Sequence, residues 1–243
     1  NDVKMLNAIS IASDEGYCSV YIVGHIDEVK KICEENNYDY SKWEFIDITD
    51  EAYTNKILTK YLKLSNIIYG EKSLRRRMND PLYYALVMEA VDEVEVTFAG
   101  INSTSGDFVY AAQTIVGLEN NLDTISSVGI AQLPDYTFSD GGNLIALADC
   151  AVCTNPSASE LASIAIATCD TIQAVTGWEP RCALLSYSTL GSGQGELIDK
   201  VVSAVKIAKE KRPDLKIDGE FQLDTAIVPE VAAKKIKRES EVA

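Results

Sequence analysis

One histidine, His25, occurs in 243 residues. A Ser-His-Asp triad therefore has no partner unless His25 takes part, and no G-x-S-x-G elbow is present. Metal chemistry is short of ligands too: Cys150-Ala-Val-Cys153 is not followed by a second C-x-x-C, so a metal site is not expected. The six cysteines are too scattered for a disulfide framework and suit free thiols in a reducing compartment. Basic residues are scarce, 22 against 37 acidic ones, for a formal charge of −15. Such a chain repels phosphate backbones and anionic lipid alike, and nucleic acid and membrane are not expected partners. No run approaches the ~18 apolar residues of a membrane span, and Asn1-Asp2-Val3-Lys4 does not open a signal peptide. A cytoplasmic chain is expected, and its start at asparagine suggests that the natural beginning is missing. Internal repeats, low-complexity tracts and Pro/Gly-rich linkers are also absent.

What remains is average: 47% hydrophobic and 24% charged residues describe a globular chain with enough length for a sizeable core. Helical and strand periodicities alternate along it. A helix carrying Val3, Leu6, Ile9 and Ala12 stands behind an Asp2 cap, with Gly16 as its stop. Cys18–Gly24 reads as a strand, Asp27–Glu35 as a helix, Trp43–Ile48 as a strand, and Ala52–Ile68 and Pro81–Val91 as helices, with Pro81 at a first helical position. Val94–Gly100 is the next strand and Phe108–Val116 the next helix. Ile125–Leu133 and Leu144–Asp149 are apolar strands separated by a Gly141-Gly142 turn. Ser157-Ala-Ser-Glu160 is a capping box for a helix to about Val175. Strand Cys182–Tyr187, helix Gly195–Lys211, strand Leu215–Phe221 and helix Asp224–Lys235 complete an α/β pattern, with the best boundary signal at 119–123.

Two strand-to-helix loops carry polar chemistry. Ser186-Tyr-Ser-Thr-Leu-Gly-Ser-Gly-Gln-Gly195 offers hydroxyls, backbone amides and a helix N-terminus to an anion, although it fits neither G-x-x-x-x-G-K-[ST] nor G-x-G-x-x-G and reads equally as a plain turn. Asn102-Ser-Thr-Ser-Gly-Asp107 sits where open α/β sheets place ligands, or else supplies Ser103 or Thr104 as a helix cap. Arg75-Arg76-Arg77 is either a solvated helix face or an attraction for a polyanionic small molecule. Cys150 and Cys153 follow an apolar strand and read as buried small hydrophobes, with Cys150 also placed to line a site.

In order along the chain, Asn79-Asp-Pro-Leu-Tyr-Tyr84, Ala99-Gly-Ile-Asn-Ser-Thr104, Ala148-Asp-Cys-Ala-Val152 with Asn155-Pro156, Leu185-Ser-Tyr-Ser-Thr-x-Gly-Ser-Gly193, Lys206–Asp214, Asp218-Gly-Glu-Phe-Gln-x-Asp224 and Val228-Pro-Glu-Val-Ala232 form a set. It resembles the phosphate acetyltransferase and phosphate butyryltransferase family, whose members move acyl groups between CoA and phosphate. The resemblance is strongest from Ala148 to Ala233. It implies two α/β/α domains around a cleft, isocitrate/isopropylmalate dehydrogenase-like, with residues 1–118 as an incomplete domain I and 119–243 as domain II. It also implies that the family's C-terminal segment, which closes domain I and carries a catalytic serine and aspartate, is missing, so that the chain alone exposes sheet edges and apolar surface and is poorly stable.

The function implied is reversible transfer of an acetyl or other short acyl group between CoA and phosphate, in a cytoplasmic homodimer, with no cofactor and CoA as substrate. Charge develops on the acyl oxygen during attack, and Ser103 and Thr104 are the expected catalytic donors. Asn102, Ser186, Ser188, Thr189, Gly191, Ser192, Gly193 and Cys150 are the expected substrate-binding residues, Cys150 bordering the cleft without acting as a nucleophile. Two departures stand out. Val109 occupies the position of a phosphate-contacting arginine of the family, and Ile67-Ile68-Tyr69-Gly70 stands where the family often has lysine or arginine. They motivate the alternative of a noncatalytic member that binds CoA or acyl phosphate, or serves as an assembly subunit.

Overall fold

The computed structural model describes residues 2–101, 103–119, 122–138 and 142–243. They form two compact units, Asn1–Gly117 and Leu118–Ala243. Both mix helix and strand in an α/β arrangement.

Unit 1 begins with α1 (Val3–Asp14), whose Asp2 Oδ1 accepts from the Met5 amide at 3.0 Å. Strands β1 (Tyr21–Gly24) and β2 (Glu44–Asp47) pair in parallel through the intervening α2 (Ile26–Glu35). Period-two alternation sends their side chains to opposite faces. Ile22 and Phe45 join Leu6, Val29, Cys33 and Trp43 in a core under α1 and α2. Val23 and Ile46 join the larger core of α3 (Glu51–Tyr61), α5 (Pro81–Ala90) and α6 (Ser105–Ile115), built on Ile57, Tyr61, Tyr84 and Met88. The buried Thr54 and Tyr84 hydroxyls meet at 3.0 Å, which satisfies two polar groups inside that core. A short helix, α4 (Glu71–Arg77), precedes α5 and holds all three arginines of the run.

Two expectations change here. The helix begun at Ala52 stops at Tyr61 rather than Ile68, and the region before Pro81 supplies α4. Val94–Gly100, expected as a strand, pairs with no strand among the described residues, and Val96 and Phe98 stand 76% and 79% exposed. Alternation makes a segment fit for a sheet, but a strand needs a neighbour to receive its backbone groups.

Unit 2 holds an antiparallel hairpin, β3 (Val128–Gln132) with β4 (Leu144–Ala148), whose expected turn lies partly outside the described residues because it includes Gly141. Helix α7 (Ala158–Thr176) starts with the full Ser157–Glu160 capping box and ends at Gly177 with φ 74°. Trp178, 36% exposed, follows at once, while the chain's other tryptophan, Trp43, is 5% exposed. Strands β5 (Arg181–Leu185) and β6 (Lys216–Phe221) pair in parallel across α8 (Glu196–Lys211). Leu184 and Ile217 pack with Ala162, Cys169, Val201 and Ala208 beneath α7 and α8. Gly219 shares that side, since a Cβ there would meet the Leu184 carbonyl oxygen at 2.7 Å. Its neighbours Asp218 and Glu220 are both 3% exposed, and the register with β5 skips Glu220 between Gly219 and Phe221. The final helix is two helices, α9 (Leu223–Ile227) and α10 (Pro229–Lys235), because Pro229 has no amide hydrogen to continue the ladder.

Candidate functional site

In unit 2 the carboxyl end of β5 runs into the Ser186–Gly195 loop. The Ser186 amide donates to the Phe221 carbonyl at 2.8 Å, which extends the β5–β6 ladder by one step. Thr189, Leu190, Gly191 and Ser192 then make a tight turn. The Ser192 amide bonds to the Thr189 carbonyl at 3.1 Å, and Leu190 and Gly191 both take positive φ, 47° and 80°. A leucine at positive φ costs about 1–2 kcal/mol, so the surroundings must hold it there.

Glu220 holds it. This side chain is 3% exposed, and its Oε1 accepts from Ser188 Oγ at 2.9 Å and from the Gly191 amide at 2.7 Å. Its carbonyl accepts from the Leu190 amide at 3.1 Å. Ser188 is fully buried and accepts in turn from the Gly193 amide at 3.0 Å. Ser192 Oγ accepts from the Thr189 amide at 3.0 Å and Ser186 Oγ from the Ser188 amide at 3.2 Å. Thr189 Oγ1 accepts from the Gln222 amide at 2.9 Å and lies 3.3 Å from Thr225 Oγ1, tying the turn to the start of α9.

The structure thus brings Ser186, Ser188, Thr189, Gly191, Ser192 and Gly193 into one network, and every amide from Ser188 to Gly193 already has a protein partner. A carboxyl group occupies the position where composition alone suggested amides free for an anion. Helix α8 follows with Glu196 and Asp199 in its first turn, which further offsets the helix N-terminal charge. The loop is a self-satisfied rim whose amides from Ser188 to Gly193 are all bonded within the protein.

Cys150 belongs to a different network in unit 2. Asp149 accepts from Ser127 Oγ at 2.5 Å and from the amides of Ala151, Val152 and Cys153 at 2.8, 3.1 and 2.6 Å. Burial works to raise the Asp149 carboxyl, but those four donors outweigh it and hold the group well below the usual carboxylate range. Cys150, expected as a buried small hydrophobe, is instead exposed, with its Sγ 3.0 Å from the Leu147 carbonyl. The turn that Asp149 caps lifts the thiol out of the apolar strand β4.

In unit 1, Thr104 is the N-cap of α6. Its Oγ1 accepts from the Asp107 amide at 3.1 Å and donates to Asp107 Oδ2 at 2.7 Å. Ser103 beside it is half-buried, and Val109 lies half-buried on α6. Asn102 lies outside the described residues.

A neighbouring cluster was not singled out from sequence. Tyr69, Tyr83 and Tyr110 gather around Arg77, whose guanidinium carbon sits 4.1 Å from the Tyr69 ring centroid and 5.8 Å from that of Tyr83. The Tyr69 and Tyr110 hydroxyls are 3.3 Å apart. Only the triple arginine hinted at it.

The phosphate acetyl/butaryl transferase family model matches residues 1–243. The chain belongs to that family. A phosphate acetyltransferase of Clostridium acetobutylicum is 38% identical over 226 residues, covering 91% of this chain and 66% of that protein. One from Thermoanaerobacterium thermosaccharolyticum is 36% identical over 234 residues, covering 96% of this chain and 70% of its own. A phosphotransacetylase structure from Streptococcus pyogenes superposes with a TM-score of 0.87 at 28% identity, over all of this chain and 72% of that one. The chain thus spans about two thirds of the length of these phosphate acetyl/butaryl transferase relatives.

Proposed function

We propose that this protein transfers a short acyl group reversibly between CoA and phosphate. The observation that carries the reading is the match of the phosphate acetyl/butaryl transferase family model over residues 1–243. In this reaction a phosphate oxygen attacks the thioester carbonyl carbon, a C–O bond forms, the C–S bond breaks, and the thiolate leaves with the electron pair. Negative charge builds on the carbonyl oxygen, so fixed donors lower the barrier. Ser103 and Thr104 are proposed as those donors. Thr104 first has to release its proton from Asp107, because that hydrogen bond occupies it. The Ser186–Gly193 rim is proposed to supply the substrate-binding side in unit 2, Cys150 is proposed to border the cleft without acting as a nucleophile, and no metal or other cofactor is proposed. Acetyl and butyryl groups are both proposed substrates, and the working form is proposed to be a cytoplasmic homodimer.

The test is a coupled assay of acetyl-CoA, propionyl-CoA and butyryl-CoA with phosphate, following release of free thiol. Turnover with at least one supports the reading, and no turnover with any by the natural protein rejects it. Val109 favours a second reading, a member that binds CoA or acyl phosphate without reacting. Calorimetric binding of CoA without turnover would select it.

A further inference from the structure

The three consecutive arginines of α4 look alike in sequence, but 100° steps around a helix send them to different surroundings. Arg75 is spent on acids and an amide: Glu51 at 3.3 Å, Glu71 at 3.6 Å and Asn55 Oδ1 at 2.6 Å. Arg76 is exposed. Arg77 is half-buried, holds its guanidinium carbon over the Tyr69 ring, and has no carboxylate within ion-pairing distance among the described residues. Its Nε is buried with no hydrogen-bond partner among them.

A guanidinium has five N–H donors in its plane, and the bond to the Tyr69 hydroxyl leaves most of that edge available to an acceptor. A cation with no carboxylate partner and a buried, unsatisfied Nε, its guanidinium bonded to the Tyr69 hydroxyl alone among the tyrosines, needs a physical reason in a chain of charge −15, because acids are the commonest possible partners here. The two carboxylates that act on neighbouring Tyr83 are already engaged. Asp80 caps α5 by accepting from the Leu82 amide at 2.9 Å, and Asp107 accepts the Thr104 hydroxyl. Tyr110, which completes the platform, stands one helical turn after Asp107 on α6, so the cluster adjoins the turn that begins at Thr104.

The geometry points to Arg77 as the guanidinium of unit 1 that receives a phosphoryl group, presented on a Tyr69–Tyr83–Tyr110 platform beside the Thr104 turn. This assignment rests on the acyl-transfer reading, and it supplies a cation where Val109 and Ile67–Gly70 carry none. The phosphoryl group belongs either to inorganic or acyl phosphate or to the CoA nucleotide, and the planar fork suits two oxygens of any of them.

The test titrates inorganic phosphate, CoA and 3′-dephospho-CoA calorimetrically into the natural protein and into Arg77→Gln and Arg77→Lys, with folding checked by near-ultraviolet circular dichroism. Arg77→Gln is expected to weaken one phosphoryl ligand by roughly tenfold to a hundredfold, as loss of one charge-assisted contact predicts. Loss confined to inorganic phosphate assigns the reacting group. Loss for CoA but not for 3′-dephospho-CoA assigns the nucleotide 3′-phosphate. Arg77→Lys, which keeps the charge without the fork, is expected to fall between the two. If Arg77→Gln does not fold, unchanged affinity in Arg77→Lys overturns the assignment, as does a folded Arg77→Gln that binds all three ligands within twofold of the natural protein. Affinity loss in Arg77→Gln together with no turnover by the natural protein would keep the phosphoryl site and reject acyl transfer.

Discussion

Removing the Glu220 carboxyl should collapse the Ser188–Gly193 rim. Oε1 of Glu220 is the shared acceptor for a fully buried hydroxyl and for the amide that follows a leucine at positive φ. In Glu220→Ala both donors lose their acceptor. Each stranded donor costs about 1–3 kcal/mol, so the substitution should destabilise unit 2 by about 2–6 kcal/mol. At about 4 °C per kcal/mol for a unit of this size, the melting temperature falls by ~8–24 °C. Glu220→Gln keeps one acceptor oxygen and loses mainly the charge assistance, about 1 kcal/mol for each of the two bonds, or ~8 °C. Differential scanning calorimetry would measure both variants, with CoA titration to follow the rim itself. The order natural protein, Glu220→Gln, Glu220→Ala is required in stability and in CoA affinity. A Glu220→Ala protein that melts within a degree of the parent and binds CoA equally well would refute the reasoning.

Other outcomes follow from groups described above or beside them. Asp218, on the same strand, is 3% exposed and is bonded by Arg238 Nη2 at 2.8 Å, Lys209 Nζ at 3.0 Å and Ser240 Oγ at 2.8 Å. Burial raises its carboxyl, but those donors outweigh burial and hold it well below the usual range. A carboxyl depressed on folding stabilises above its unfolded pKa of about 3.9 and loses that contribution as pH falls through the folded value, so acid titration should unfold unit 2 progressively below about pH 4. Arg238→Ala should move the acid midpoint upward and cost about 1–2 kcal/mol at neutral pH, a figure discounted because the arginine is 44% exposed. Equal acid midpoints would contradict this. Thr104→Ala should cost about 1 kcal/mol of stability as a lost N-cap, while Thr104→Ser restores it. If both variants are as stable as the parent by urea titration, Thr104 does not cap α6.

Much of the scaffold could be read from residues because its signals are local. Asp2, Pro81 behind Asp80, and the Ser157–Glu160 box announce helix starts within one turn, and the structure places a cap at each. Pro229 was just as local, and giving it its weight would have divided the last helix at the right place. Val94–Gly100 failed for a different reason, since pairing is a tertiary event that alternation only permits. The rim divided in the same way. Its hydroxyls and glycines were visible in sequence, but the carboxyl that fills it lies on β6, at a distance along the chain that no local pattern reports. Arg77 was hidden by its neighbours, because rotation around α4 is what makes one arginine of three different.

The placement of the two tryptophans makes Trp43 a selective reporter of unit 1. Trp43 lies in the apolar core under α1 and α2, whereas Trp178 stands partly exposed after α7. Buried and exposed indoles fluoresce at different wavelengths, so the emission of Trp43 stands apart from that of Trp178. Unfolding of unit 1 exposes Trp43 and shifts its emission to the red, while unit 2 contributes a band that is already red-shifted. A denaturant titration resolved by wavelength can therefore follow the unfolding of unit 1 selectively, with no label attached.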